Sequence, residues 1–493
     1  MLSNNTIQQL KHKSIVLFLL CLFFAYSNFS IAQKAVYNID KKYSPEQLKQ
    51  DLDVLEKRLK HFHPDPYHYI TKDSLHLYVE NMKNQITDSL NEFQFRFYVR
   101  QIIAKIGCGH TAAVPSKQYT KNINALNRPM FPANLWILDS NKLFVKQYVL
   151  KDKKLQKGDE ILSINGNKPK DIIEKMYSTF SSDGLNTTYK KQNLSLDRFK
   201  YFYAAAYKPD STYALQVRTL KGDTQNIEVN HIGSKVDTLK LYAVNDKSIM
   251  YRNSKAKFKI DTVCKNLAIM DIDNFAGKKW RRVIRKSFKY LKSHPEITNL
   301  AIDLRDNGGG KVSKGTYLLT YLLPKAFSMP FGRTPNLLPF NPIIKMSFGS
   351  RLTILSFGTY PISWLKKGRW THYFFALPRK RNHFNGNVYV IANGRSFSMS
   401  GVTASYLKFK AGAKTIGEET GGAQTGSNAM ISGRVILPNT GSIVQIPLYH
   451  LTHAIKVIDT KRGIMPDYPV NYSVFDKIMN KDKEVEKLRE LCK

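Results

Sequence analysis

Three serines at alternate positions, Ser396, Ser398 and Ser400, lie between the apolar run Val388-Tyr389-Val390-Ile391 and a helical pattern that starts at Gly401. The run is short and β-branched, so it reads as a buried strand, and Asn393-Gly394 breaks it. A serine at a strand-to-helix turn is exposed and sits where backbone N–H groups point outward. A nucleophile facing a developing oxyanion needs that placement. Serines before a helix are equally good caps, and this stretch alone leaves both readings open. A second strand, Leu300 to Leu304, runs into Arg305-Asp306-Asn307-Gly308-Gly309-Gly310. Three glycines let the backbone approach a ligand closely and can turn N–H donors toward an anion. The loop lacks the Lys-Ser/Thr ending of a phosphate loop, which argues against a nucleotide site.

A third stretch, Gly107-Cys108-Gly109-His110-Thr111, carries a histidine between glycines and a threonine. Such a histidine projects from a loop, and an unperturbed pKa near ~6.5 makes it a natural general base. A loop histidine that makes only local hydrogen bonds has the same sequence.

Four motifs then fall in one order: Asp303-Leu304-Arg305-x-Asn307-x-Gly309-Gly310, Ser396-x-Ser398, Gly417-Glu418-x-Thr420-Gly421-Gly422, and Gly463-Ile464-Met465-Pro466-Asp467. Order and spacing resemble the tail-specific (C-terminal processing) serine proteases over roughly residues 265 to 475. The resemblance implies an α/β fold with a crotonase/Clp-protease-like β-α superhelical core. It implies Ser398 as nucleophile, with the backbone N–H groups of Met399 and Gly310 as oxyanion donors and Gly309 as the nearest substitute. One form of the family pairs the serine with a lysine about 25 residues downstream. Here that position is Ala423, while Lys408, Lys410 and Lys414 lie on or just past the following helix. The Gly-His-Thr motif is similar to the histidine-containing, tricorn-like and retinoid-binding-protein-like branch, which implies His110 as base and then acid. Tricorn-like members orient the histidine through a Ser–Glu relay, but Gly109 precedes His110 here. Glu418, Asp459 and Asp467 are the candidate acid partners. Gly401 stands where the family has an acid after Ser-x-Ser.

The elements that must hold these groups are legible upstream. Ser44-Pro45-Glu46-Gln47 starts a helix with an N-cap, a first-turn proline and a capping-box glutamine. Leu48, Leu52, Leu55, Leu59 and Phe62 follow at helical spacing, and Pro64 ends it. His61 and His63 do not share a face and read as surface histidines. Two more helices, about Ser74 to Ile86 and Glu92 to Ile106, complete a helical unit at 43–115 that carries the His110 loop. Residues 126–235 read as a separate β-rich module. Its Gly158-Asp159-Glu160-Ile161-Leu162-Ser163-Ile164-Asn165-Gly166 is similar to PDZ domains, which capture peptide tails by adding a strand to a sheet edge. Residues 180–208 exceed an ordinary PDZ length and count against a free groove. The catalytic core spans 245–475, with an insertion of lid or surface loops at 325–385, and a charged tail covers 476–493.

Composition bounds the rest. The chain has 493 residues and 42% hydrophobic content, enough for several domains and a sizeable core. Residues 14–32 form an apolar stretch preceded by Lys11 and Lys13 and followed by Ser30-Ile31-Ala32. This is the layout of a secretory signal peptide over 1–32, implying an exported, periplasmic or secreted protein; an uncleaved membrane anchor is the alternative. The three cysteines after it, Cys108, Cys264 and Cys492, form neither a disulfide framework nor a metal cluster, and no cofactor or metal is expected. The formal charge of +38 is spread along the chain without a nucleic-acid-binding motif. It allows adhesion to an anionic envelope surface and reads mainly as a solvated surface.

Together these features point to a serine-type endopeptidase that cleaves proteins or peptides toward their C-termini. The alternatives are a catalytically inactive peptide-binding protein on a protease fold and a charge-driven adhesive protein. With an ordinary histidine as base, activity should rise with pH through an apparent pKa of ~6–7.

Overall fold

Strand and helix alternate between residues 256 and 417, and the computed structural model shows the parallel pairing that such alternation requires. It describes residues 37–493 except 124–125, 140, 208, 236–247, 335–339, 358–361, 367–368 and 456–460. The expected signal peptide lies outside the described residues. Residues 41–493 form one compact unit. Among the described residues no helix is long and apolar enough to cross a membrane.

The central sheet has seven strands in the order Ile249–Arg252, Ala256–Ile260, Leu267–Ile272, Asn299–Asp303, Asn387–Ala392, Lys414–Gly417, Tyr468–Pro469. The first two pairings are antiparallel and the remaining four parallel. Asn299–Asp303 is buried along its whole length, as a strand covered on both faces must be. The carboxyl ends of these strands carry the Asp303–Gly310 loop and the Asn393–Ser398 turn.

A second sheet joins Gly426–Ile436, Ile443–Thr452, Phe327–Arg333, Arg369–Ala376 and Ile362–Lys366. The segment expected as loops at 325–385 therefore contributes three strands and a helix, Phe348–Phe357. Its alternation is masked in sequence by aromatics on both faces of the strands. The short strand Ala112–Val114 pairs with Ile443–Gln445. That pairing ties the His110 loop to the core.

The N-terminal helices are Pro45–Phe62, Lys72–Asn84 and Glu92–Lys105. The capping box at Ser44 is present, and a second one at Asn91 starts the third helix. Their apolar residues belong to the same hydrophobic cluster as the central sheet. His63 is buried rather than on the surface, and its Nδ1 accepts from the Asp65 N–H at 3.2 Å.

Residues 133–230 build a five-stranded antiparallel sheet with its own core around Leu135, Val145, Ile161, Ile172 and Val217. This architecture is compatible with the PDZ-like expectation. The extra residues fold as Thr188–Asn193, Leu194–Arg198 and Phe199–Ala206. They pack on the edge strand Ala133–Leu138, where the Ile137 N–H donates to Ser195 Oγ at 3.0 Å. The sheet edge is thus occupied by the chain itself. The C-terminal tail docks as well: helix Lys483–Leu491 buries Leu488, and Arg489 pairs with Asp261 at 2.9 Å.

One buried carboxylate joins the first helix to the second sheet. Asp51 accepts from the Asn439 N–H (2.9 Å), the Thr440 N–H (3.0 Å) and Thr440 Oγ1 (2.7 Å). Asp51→Ala would orphan these donors, so urea unfolding should show a loss of about 1–3 kcal/mol. An unchanged midpoint would mean that the turn at 439–440 finds other partners.

Candidate active site

Of the three serines, only Ser398 is partly exposed; Ser396 and Ser400 are buried. Ser396 is structural: its Oγ donates to the Leu304 carbonyl at 2.7 Å and accepts the Asn393 N–H at 3.0 Å. Ser398 occupies the N-cap of helix Met399–Ala411, yet its side chain makes no capping hydrogen bond. Its backbone is at φ 56°, ψ −125°. That region is costly for a residue with a Cβ and persists only when its surroundings impose it. Here they do. Phe397 N–H donates to the Asn307 carbonyl at 3.0 Å, Gly421 N–H to the Ser396 carbonyl at 3.1 Å, and Val402 N–H to the Ser398 carbonyl at 3.0 Å.

The Asp303–Gly310 loop closes over this turn. Asn307 is fully buried and spends its side chain twice, donating to the Ile272 carbonyl at 2.6 Å and accepting the Gly309 N–H at 2.9 Å. Gly309 is therefore not a free donor, which corrects its expected role as substitute in the oxyanion hole. Gly309 (φ 101°) and Gly310 (φ 140°) adopt backbone that favours glycine. A Cβ on Gly309 would lie 2.7 Å from Ser398 Cβ and 2.8 Å from the Met399 nitrogen. The loop backbone thus touches the serine. The Met399 N–H is at the helix start, where no intrahelical acceptor exists. The Gly310 N–H makes no hydrogen bond among the described residues.

His110 is seated beside this turn. Its imidazole stacks on Phe397, the residue before Ser398, at 4.5 Å between ring centroids. No hydrogen bond joins His110 to Ser398 among the described residues; the histidine reaches the turn through Phe397. His110 Nδ1 lies 3.2 Å from Ser427 Oγ. Ser427 Oγ in turn donates to Asp183 Oδ2 at 3.4 Å, and the other Asp183 oxygen accepts the Gly109 N–H at 2.8 Å. Burial pushes His110 down to about 4. Burial also pushes Asp183 up to about 6, against the hydrogen bonds from Gly109, Ala423 and Ser427.

Residues 266–470 match the model of peptidase family S41. Over that part of the chain the similarity is to a family of serine peptidases. No curated protein matches it by sequence. Among solved structures it is similar to mature CPAF complexed with lactacystin, at 14% identity and a TM-score of 0.63, covering 91% of this chain and 98% of that one. Mature CPAF alone gives 14% identity and a TM-score of 0.62, covering 91% and 96%. A photosystem II D1 C-terminal processing protease aligns at 12% identity and a TM-score of 0.41, covering 86% and 93%. At these identities the likeness is one of fold.

The S41 motifs that sequence singled out converge, except for the acid. Glu418 bonds Lys191 at 2.6 Å and Gln192 at 2.5 Å, away from the histidine. Asp467 is spent on Lys408 (2.8 Å) and the Thr415 N–H (2.8 Å). Asp459 lies outside the described residues. Neither Asp183 nor Ser427 stands in a motif, so sequence reading missed both. The one available signal was the length of the module around residue 180. Ala423, at the position of the lysine in the other S41 form, directs its N–H to Asp183 at 3.5 Å. Lys408 is turned to Asp467, as expected of a lysine outside the site. A Cβ on Gly401 would meet Gly422 Cα at 3.4 Å, an ordinary contact, so packing does not require the glycine there.

Gly309→Ala combines an unfavourable φ with a clash against Ser398. It should cut covalent labelling by a fluorophosphonate at least on the order of 10²-fold, measured as a labelling rate. Near-normal labelling would show that the loop need not touch the serine.

Proposed function

We propose that the chain is an exported endopeptidase that hydrolyses peptide bonds near polypeptide C-termini, with Ser398 as nucleophile and His110 as base. The observation that carries this is the strained, uncapped Ser398, flanked by unspent N–H groups and by a partly buried histidine. Ser398 Oγ attacks the scissile carbonyl while neutral His110 takes its proton. The tetrahedral oxyanion then faces the N–H groups of Met399 and Gly310. His110 returns the proton to the leaving amine, and water repeats the cycle on the acyl-enzyme. Ser427 and Asp183 hold the imidazole through Nδ1, leaving Nε2 for the serine. Engagement of Ser398 with His110 is completed as substrate binds, as catalytic hydrogen bonds often are.

A cavity of about 750 Å³ opens at the carboxyl ends of the central strands; Ser398 and His110 are not among its walls. Trp136, Ile137, Tyr472, Asp271, Asp306 and Asn393 are among its walls. It offers room for an extended polypeptide between the module and the core. Because Ser195 already occupies the Ile137 N–H, the substrate is held by side chains rather than by strand addition. The occupied edge also weighs against a purely peptide-binding protein. Export rests on the apolar stretch at 14–32 and its flanking charges.

A fluorophosphonate should label the wild type and leave Ser398→Ala unlabelled. His110→Ala should lower kcat on the order of 10²-fold or more with little change in KM. Equal labelling of wild type and Ser398→Ala would remove the serine from the mechanism.

The acid limb should move below the range of an ordinary histidine. A base works in its neutral form, and burial depresses His110 to about 4 while it raises Asp183 to about 6. The rate should therefore be flat at neutral pH and fall as pH drops through the interval between these two values. Asp183→Asn should displace that limb and lower kcat on the order of 10-fold at unchanged KM. A limb above pH ~7 that ignores Asp183→Asn would point to a lysine base instead.

A further inference from the structure

Between residues 325 and 385 the chain has ten Lys and Arg and no Asp or Glu. Within this acid-free stretch, helix Phe348–Phe357 is rooted by one face only. Ile354 is buried, and Phe357 packs edge-on against Phe331 (4.9 Å) and Tyr449 (5.2 Å) of the second sheet. Ser347 Oγ accepts the Ser350 N–H at 3.1 Å and fixes the helix start. The opposite face carries Phe348, Leu352 and Leu355, spaced i, i+4, i+7, at 69%, 47% and 49% exposure. Phe340, 61% exposed, lies next to this face, with the Arg351 guanidinium 5.5 Å from its ring. Among the described residues, seven of nineteen large exposed apolar residues fall between 340 and 377. Single exposed apolar side chains are ordinary, but a stripe of four on one helix and its approach is not.

Cations border the stripe. Lys345 and Arg434 exchange backbone hydrogen bonds at 2.8 and 2.9 Å, which places both next to the helix, and both are exposed. Among the described residues neither has a carboxylate partner. Ile344 between them is fully buried, so the border is anchored to the core.

We infer that helix Phe348–Phe357 is a docking face for the surface of an anionic lipid bilayer. Phe348, Leu352 and Leu355 enter the boundary between headgroups and acyl chains, while Lys345 and Arg434 meet lipid phosphates. Aromatic and leucine residues on one face of a short helix, bordered by cations such as Lys345 and Arg434, are the composition of an interfacial anchor. Charge selects this occupant. A second copy of the chain docked through the same stretch would bring the same cations against these, and that stretch has no acid to pair them with. A bilayer carrying phosphatidylglycerol supplies both the apolar depth and the negative charge. The face shares no residue with the Ser398 turn or the His110 loop.

The test uses the full chain with vesicles of phosphatidylcholine alone or with phosphatidylglycerol, read by amide hydrogen exchange over residues 340–357 and by co-sedimentation. Anionic vesicles should protect 340–357, and phosphatidylcholine should not. The variant Phe348→Gln/Leu352→Gln/Leu355→Gln should lose that protection. Its vesicle affinity should drop at least about tenfold, while fluorophosphonate labelling of Ser398 stays unchanged as the check on folding. Leu352→Gln alone serves if the triple variant does not fold, and should weaken binding in the same direction. The inference is overturned by absent protection, by equal protection on neutral vesicles, or by undiminished binding of the variants. Protection that appears without vesicles and grows with protein concentration would also overturn it, by assigning the face to a second copy.

Discussion

The site depends on one close approach of two backbone segments. Gly309 touches Ser398 and the Met399 nitrogen, and neither segment would adopt its conformation alone. The Ser398 φ of 56° is unfavourable, and so is a loop in which three successive glycines carry no side chains to pack. Asn307 reconciles them. Its backbone carbonyl holds Phe397 while its side chain holds Gly309 and Ile272. Strands Leu267–Ile272, Asn299–Asp303 and Asn387–Ala392 are thereby locked at their carboxyl ends by a single buried amide. Donors fixed in this way need no reorganisation when charge develops, which is the physical content of a preorganised oxyanion site.

The electrostatics of the histidine follow from burial. His110 sits against Phe397 with Ser427 as its polar neighbour, and the nearest carboxylate, Asp183, is one hydroxyl further away. A charged carboxylate in direct contact would favour the imidazolium; a hydroxyl between them weakens that pull, so desolvation wins and the ring stays neutral. A neutral ring is the form a base requires. Asp183 is in turn kept in place by the N–H groups of Gly109 and Ala423, so its orientation does not depend on the histidine.

Much of this was legible in the sequence because it is local. The Ser44 capping box, the strand ending at Asp303, the glycine loop and the serine turn are each set by neighbours a few residues away. Their motif order supplied the family. What escaped were partnerships across long separations. Asp183 meets Ser427 over 244 residues, and Asp51 meets Thr440 over 389. No periodicity encodes such pairs. The stretch at 325–385 escaped for a different reason: strands such as Arg369–Ala376 carry aromatics on both faces, so they show no alternation of apolar and polar residues. Glu418 and Asp467 were attractive acids only because they lie within motifs. Both are committed to lysines that hold the framework.

The length of the β-rich module has a structural reason that a free peptide-binding domain would not supply. Residues 183–206 do two things at once. Their distal part fills the sheet edge, with Ser195 on the Ile137 N–H. Their proximal part lies on the active-site loops: Asn186 donates to the Thr420 carbonyl at 2.8 Å, Thr188 to the Glu419 carbonyl at 2.9 Å, and Tyr189 sits 4.5 Å from the Phe397 ring. A peptide adding to that edge would have to displace a segment whose other end carries Asp183. The module therefore serves as part of the wall of the catalytic site. Its strands are compatible with a peptide-capture domain, while its added helices fill the edge that such a domain would leave open.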